Sequence, residues 1–111
     1  MTLKDFEELV AQALDSLPYV FAKALDNADV VVEIWPPPGE NLFGLYRGIP
    51  QTKRGHYAGA LPDKISIFAG PIVAAFGDNP DAVRQQVRKT VLHEVGHHFG
   101  MSEEEIRNAR K

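Results

Sequence analysis

The residues that decide the fold are 79–103, NPDAVRQQVRKTVLHEVGHHFGMSE, because they carry the start and stop signals of one long helix. Asn79 favours the N-cap position, and the following Pro80 is tolerated in a first helical turn. Gly100 supplies the left-handed residue that commonly ends a helix. The sequence therefore predicts a helix over about residues 80–99, the longest and best-bounded element of the chain.

One face of this predicted helix is apolar at four-residue intervals, a pattern typical of a helix packed on a core. The apolar residues are Val83, Val87, Val91 and Val95, with Leu92 and Phe99 beside them. His98 points about 100° away from His97 on the same helix. We therefore predict that the stripe forms core and that His98 is packed or supports a neighbouring ligand.

The same helix carries the segment H-E-V-G-H at residues 93–97. Successive helical residues advance by about 100°, so His93 and His97 project only about 40° apart, one turn along the axis. Both imidazoles are expected to reach one zinc ion, and because the chain has no cysteine any ligands must be nitrogen and oxygen. Glu94 lies where a carboxylate contacts a zinc-bound water, so the pattern predicts a catalytic zinc site with Glu94 as general base.

A catalytic zinc ion usually has three protein ligands and one water ligand. Only 14 residues follow His97, so the third ligand is expected nearby (111 − 97 = 14). In the compact pattern H-E-x-x-H-x-x-G-x-x-ligand the glycine turns the chain back, so that the last residue of the pattern reaches the metal. Here the glycine is Gly100 and the expected ligand is Glu103. The alternative is that Glu103, like Glu104, is an acid favoured by the dipole of a helix N-terminus.

The remaining helices are predicted from apolar spacing and capping residues. Thr2 and Asp5 resemble a capping box, and Ser102 and Glu105 form a second one. The predicted helices cover residues 3–16, a second short helix that is capped by Ser16 and runs to about Leu25, a short turn over residues 71–75 and a final helix over residues 103–110.

Two β-branched runs predict strands, residues 30–35 as an internal strand and residues 65–69 as a second one. Residues 39–62 are rich in Gly, Pro and aromatic residues and are predicted to hold at most short strands near Leu45 and Tyr57. The expected fold is α+β, one domain over residues 1–111 with a small mixed sheet packed against helices.

The middle loop holds polar side chains that could supply an oxyanion donor or substrate contacts. These are Tyr46, Arg47, Arg54, His56 and Tyr57. A plain surface role is the stronger expectation for each of them taken singly.

Charge and hydropathy exclude several classes of protein. The net charge is −3 and the basic residues form no block, so nucleic acid is not an expected partner. The first ten residues, MTLKDFEELV, lack the apolar centre of a secretory signal, and the longest uncharged run, residues 65–77, is too short to span a bilayer. We therefore expect a cytoplasmic protein without membrane attachment.

Three segments carry a resemblance to a known family: TVLHEVGHHFGMSEEEI at residues 90–106, GLYRGIP at 44–50 and LPDKISIFAGPI at 61–72. Together they resemble the small bacterial zincin-like metallopeptidases, formerly a domain of unknown function. The resemblance implies a minimal zincin fold, in which a few strands pack on helices and the H-E-x-x-H helix carries the active site.

The resemblance also implies roles for individual residues. His93 and His97 correspond to zinc ligands, Glu94 to the catalytic glutamate, and Glu103 to the acid that completes the site. In zincins the edge strand before the active-site helix lies along the substrate, and here that strand would be residues 64–69.

The leading hypothesis is a zinc-dependent hydrolase of peptide bonds acting on a peptide or an unfolded protein. The alternative is a non-catalytic, zinc-stabilised module of zincin fold that binds peptides or regulates a partner. A zinc-dependent RNA-processing nuclease with three histidine ligands is disfavoured by Glu94 and by the acidic charge balance.

Overall fold

The computed structural model describes residues 1–25, 28–48, 63–77 and 79–109. Within these ranges the chain forms five helices and three strands, which confirms the predicted α+β class. In chain order they are α1 (Leu3–Asp15), α2 (Tyr19–Ala24), β1 (Ala28–Glu33), β2 (Gly44–Arg47), β3 (Asp63–Phe68), α3 (Ala69–Phe76), α4 (Pro80–His98) and α5 (Glu103–Ala109).

The strands form one mixed sheet in the order β1-β3-β2. β1 runs parallel to β3, with Val30 opposite Ile65, and β2 runs antiparallel to β3, with Tyr46 opposite Ile65. Ile65 and Ile67 of the central strand are fully buried. The predicted strand near Leu45 is confirmed as β2, whereas the one near Tyr57 lies outside the described residues.

Two expectations about the sheet are wrong. The resemblance to zincins implies that residues 64–69 are the edge strand beside the substrate, but β3 is paired on both sides, so its backbone groups are used within the sheet. The strand predicted at residues 30–35 is expected to be internal, but β1 lies at an edge of the sheet that the described strands form, and its side chains are mostly only half-buried. A run of valines fits an edge strand with one packed face as well as a central strand.

Helix α4 begins and ends close to where the sequence predicts. The Asn79 side chain accepts a hydrogen bond from the backbone N–H of Ala82 at 3.1 Å, and Gly100 follows the helix with φ of 79°. The four valines of the predicted stripe are fully buried. They pack against α1, whose buried residues are Phe6, Leu9, Val10 and Ala13. The valine face of α4 is therefore buried in the core, whereas His93 and His97 lie on a face that is partly exposed to solvent.

The segment between β3 and α4 is more helical than predicted. The sequence indicates a strand to residue 69 and then a short turn from Pro71, but α3 already begins at Ala69 and runs for eight residues. Pro71 is tolerated because it lies in the first turn. No helix in the described ranges is both long enough and apolar enough to cross a bilayer.

Candidate metal centre

His93, Glu94 and His97 bring together one potential ligand atom each, and these atoms lie within 4.8 Å of one another. The two imidazole rings are adjacent on α4, with ring centroids 4.5 Å apart. Both histidine side chains are about one-third exposed at 35%, whereas Glu94 is buried. The one-turn spacing thus places two accessible imidazoles side by side, as the sequence predicts.

Glu103 reaches both imidazoles from the start of α5. The Nε2 atom of His93 lies 2.8 Å from each carboxylate oxygen of Glu103, and the Nε2 atom of His97 lies 3.4 Å from Oε1. The 2.8 Å separations between His93 and Glu103 are direct hydrogen bonds. The separation between His97 and Glu103 is close to the distance of about 3.4 Å expected between two ligand atoms of one tetrahedral zinc ion. The donor set of two imidazole nitrogens and one carboxylate therefore fits zinc.

A tight reversal of the chain delivers Glu103 to this position. After α4 the N–H of Gly100 donates to the carbonyl oxygen of His97, and the N–H of Met101 donates to that of Gly96, both at 2.9 Å. These two bonds form a Schellman motif, in which the left-handed Gly100 turns the chain back toward the helix. The turn is the one that the compact ligand pattern requires.

Gly96, inside the H-E-V-G-H segment, lets α5 approach α4 closely. A Cβ atom at this position would lie 2.7 Å from Cδ1 of Ile106, which is 1% exposed. Any side chain here would push α5 and its Glu103 away from the histidines. Sequence reasoning missed this role, although a glycine within a predicted helix is a signal of close packing.

Glu94 holds the ring of His93 from the other side. Its Oε2 atom lies 2.8 Å from Nδ1 of His93, so the opposite ring nitrogen, Nε2, faces Glu103. Histidines that bind metals commonly donate their second ring N–H to a carboxylate, which fixes the ring orientation. Glu94 also lines the groove beside the site, so the same carboxylate can face a substrate.

The charges of the site are coupled. Partial burial lowers the pKa of His93, but hydrogen bonds to Glu94 and Glu103 raise it, and the net direction is upward. The hydrogen bond from His93 holds the pKa of Glu103 below its usual value. The cluster therefore favours a positive charge between its carboxylates, whether that charge is a proton or a metal ion.

A groove of about 300 Å³, the site groove, runs along α4 beside His93 and Glu94. Its other wall is the segment of residues 41–44 that leads into β2. A Cβ atom at Gly44 would lie 2.7 Å from Cγ2 of Thr90 and 3.0 Å from Cγ of Glu94, so only glycine allows this close approach. The sheet edge that borders the site is thus β2 and not residues 64–69.

A buried polar network lies next to the site. His98 is fully buried, and its Nδ1 atom lies 2.7 Å from Oδ2 of Asp63, which also accepts a 2.7 Å hydrogen bond from the Tyr46 hydroxyl. The predicted packing of His98 is confirmed. Sequence reasoning missed Asp63, although a buried histidine requires polar partners. Tyr46 is engaged in this network, Arg47 is exposed, and Arg54, His56 and Tyr57 lie outside the described residues.

Comparison with known proteins agrees with this fold. A family model described as zincin-like metallopeptidase matches residues 19–111. The chain therefore belongs to the zincin-like metallopeptidase family, as the three sequence segments indicated.

A solved structure of a conserved hypothetical protein from Thermus thermophilus is similar to this chain, with 26% sequence identity and a TM-score of 0.61. The match covers 89% of this chain and 94% of that one. None of the curated proteins matches the chain.

Proposed function

We propose that this chain is a zinc-dependent peptidase in which His93, His97 and Glu103 hold the metal and Glu94 is the general base. The observation that carries the proposal is the convergence of both Nε2 atoms on the carboxylate of Glu103. Membership of the zincin-like metallopeptidase family supports it. Zinc held there would supply Lewis-acid activation of a water molecule and of the substrate carbonyl.

The residues of the chain supply the remaining steps. Glu94 accepts the proton of the attacking water on its carboxylate and returns it to the leaving amine. Its hydrogen bond to Nδ1 of His93 keeps the Nε2 atom of that ring directed at the ligand cluster. Burial of Glu94 excludes bulk water from this carboxylate and strengthens its interactions.

The proposed substrate is an extended peptide or an unfolded protein segment. Gly44, the first residue of β2, lines the site groove, so the backbone at the start of this strand can pair with that of an extended peptide. Backbone pairing would accept many sequences, so side-chain preference must come from other contacts along the site groove.

One observation favours a second candidate, a non-catalytic zinc-stabilised module that binds peptides. The carboxylate of Glu94 is bonded to His93, which is also the geometry of a residue that only orients a ligand. The two candidates differ in whether Glu94 is needed for cleavage.

The experiment compares Glu94→Gln with Glu104→Gln in cleavage of an unfolded protein and a peptide library, with zinc content measured for each. Glu104 is an exposed acid without a contact to either histidine in the described structure, which makes it the matched control. The peptidase proposal expects Glu94→Gln to lose about 10²–10⁴-fold in kcat while retaining zinc. Cleavage by Glu94→Gln at the rate of the control would reject the peptidase and favour the binding module.

A further inference from the structure

A second groove, the Trp35 groove, lies between the segment that follows β1 and the outer face of α3. Its volume is about 540 Å³, within the range of sites that hold ligands. Its main walls are Trp35, Pro36, Pro37, Phe43, Pro71 and Ala75. Neither the proposed zinc ligands nor the proposed general base lines this groove, so the proposed chemistry does not assign it a role.

Trp35 is held in place and yet left exposed. The N–H of Gly70 donates to the carbonyl oxygen of Ile34 at 2.7 Å, and a Cβ atom at Gly70 would lie 2.8 Å from Cδ2 and Cε3 of the indole. The ring therefore packs on the first turn of α3, while 66% of the residue faces solvent. A large aromatic ring that is both fixed and exposed is typical of an interaction site.

The groove is rigid and nearly uncharged. Three consecutive prolines, at residues 36–38, fix their own φ angles, so this wall loses little conformational freedom when a ligand binds. Glu40 is the only charged residue among the described residues that line the groove. These properties suit an apolar side chain better than a charged one.

The Trp35 groove adjoins the site groove, because Asn41 and Phe43 line both. An extended chain that lies along residues 41–44 beside Glu94 therefore has the Trp35 groove next to it. This shared wall favours the molecule that reaches the candidate metal centre as the occupant.

We propose that the Trp35 groove is an apolar subsite that binds a large apolar side chain of the peptide whose scissile bond lies at the metal centre. The inference rests on the proposed peptidase function, because the occupant is that enzyme's substrate. It assigns the substrate class as extended peptides with an aromatic or large aliphatic residue a few positions from the cut.

The test uses the intrinsic fluorescence of Trp35, the one tryptophan of the chain. Zinc-loaded Glu94→Gln protein is titrated with twelve-residue peptides of Gly, Ser and Ala that carry one Phe, placed at a different position in each peptide. The reference is the same peptide with Ser in place of Phe. The best Phe peptide should shift the emission saturably and bind about tenfold or more tightly than the reference.

Two variants locate the effect. Ala75→Glu places a charge in the groove from an exposed position of α3, and Ala11→Glu makes the same exposed helical change on α1, outside the groove. The preference for Phe should fall below about twofold in Ala75→Glu and remain in Ala11→Glu. Equal binding of Phe and Ser peptides, or equal behaviour of the two variants, would overturn the subsite.

Cleavage by the zinc-loaded chain with Glu94 intact separates the two proposals. If Phe peptides bind in this way but none is cut, the peptidase proposal fails and the groove stands as a peptide-binding site. If peptides are cut with the same kcat/KM whether or not they carry Phe, the subsite fails and the peptidase stands.

Discussion

At the scale of single residues, the site depends on how two carboxylates share one imidazole. Glu94 engages Nδ1 of His93 and Glu103 engages Nε2, each at 2.8 Å. The ring of His93 is therefore fixed at both nitrogens. Of the two carboxylates, the one at Nε2, Glu103, also lies close to His97. This arrangement assigns different roles to two acids of the same type, so substitutions should separate them.

Glu103→Gln should lower zinc affinity by at least about tenfold, because an amide oxygen is a weaker and uncharged ligand. Glu104→Gln, the adjacent exposed acid, should leave the affinity within about twofold. Competition with a chromophoric chelator measures both. A larger loss in Glu104→Gln than in Glu103→Gln would show that the neighbouring acid is the ligand.

Gly96→Ala should destabilise the zinc-free protein by about 1–3 kcal/mol, because the new methyl group overlaps Ile106. The helix propensity of alanine offsets about 1 kcal/mol of this cost. Urea denaturation measures the change. In the Ile106→Ala background, where the contact is removed, Gly96→Ala should be neutral or stabilising, and an equal loss in both backgrounds would contradict the packing explanation.

At the scale of elements, the long helix was predictable and the sheet order was not. The ends of α4 depend on Asn79 and Gly100, which act on backbone groups a few residues away. The order of the sheet depends on pairing between β1 and β3, where Ala28 lies opposite Asp63. No local signal encodes such a pairing, which explains why the sequence pattern predicts an internal strand at residues 30–35 and why the resemblance to zincins assigns residues 64–69 to an edge.

The same limit applies to the buried network. The pattern along α4 predicts that His98 is packed, but its partner Asp63 lies 35 residues earlier and belongs to a different element. Spacing arguments could predict that His93 and His97 lie side by side on one helix and that Glu103 lies close to both. The roles of Gly96 and Gly44 depend on contacts with other elements, so spacing along the sequence could not predict them.

Asp63→Ala should cost about 2–3 kcal/mol of unfolding free energy, because it removes the hydrogen-bond acceptor of the buried His98 and of the half-buried Tyr46. Tyr46→Phe removes the hydroxyl that donates to Asp63 and should cost about 1 kcal/mol. Asp29→Ala, at an exposed position of β1, is the control and should stay within about 0.5 kcal/mol. Similar values for Asp63→Ala and Asp29→Ala in thermal unfolding would refute a structural role for the network.

At the scale of the whole molecule, the candidate metal site joins two parts that differ in intrinsic stability. α4 is buried against α1 and the sheet, whereas α5 has seven residues, too few to be stable as an isolated helix. Ile106 and Glu103 are the contacts that attach α5 to α4 near the site. A metal bound by both helices should therefore stabilise the fold.

Zinc at about 100 times its Kd should raise the free energy of unfolding by about 2.7 kcal/mol, since it binds the folded chain. Differential scanning calorimetry with and without zinc measures the gain. Magnesium, which prefers oxygen ligands, should give none, and His93→Ala should abolish the effect of zinc. A gain of equal size in His93→Ala would place the metal elsewhere.

The central claim is that His93, His97 and Glu103 hold one zinc ion. The most direct measurement is the metal content of the protein purified without chelators, combined with anomalous scattering at the zinc edge in its crystals. We predict one zinc per chain, bonded to the Nε2 atoms of both histidines and to the carboxylate of Glu103. Fewer than about 0.1 zinc per chain after zinc is offered, or an ion bound away from His93 and His97, would contradict the account.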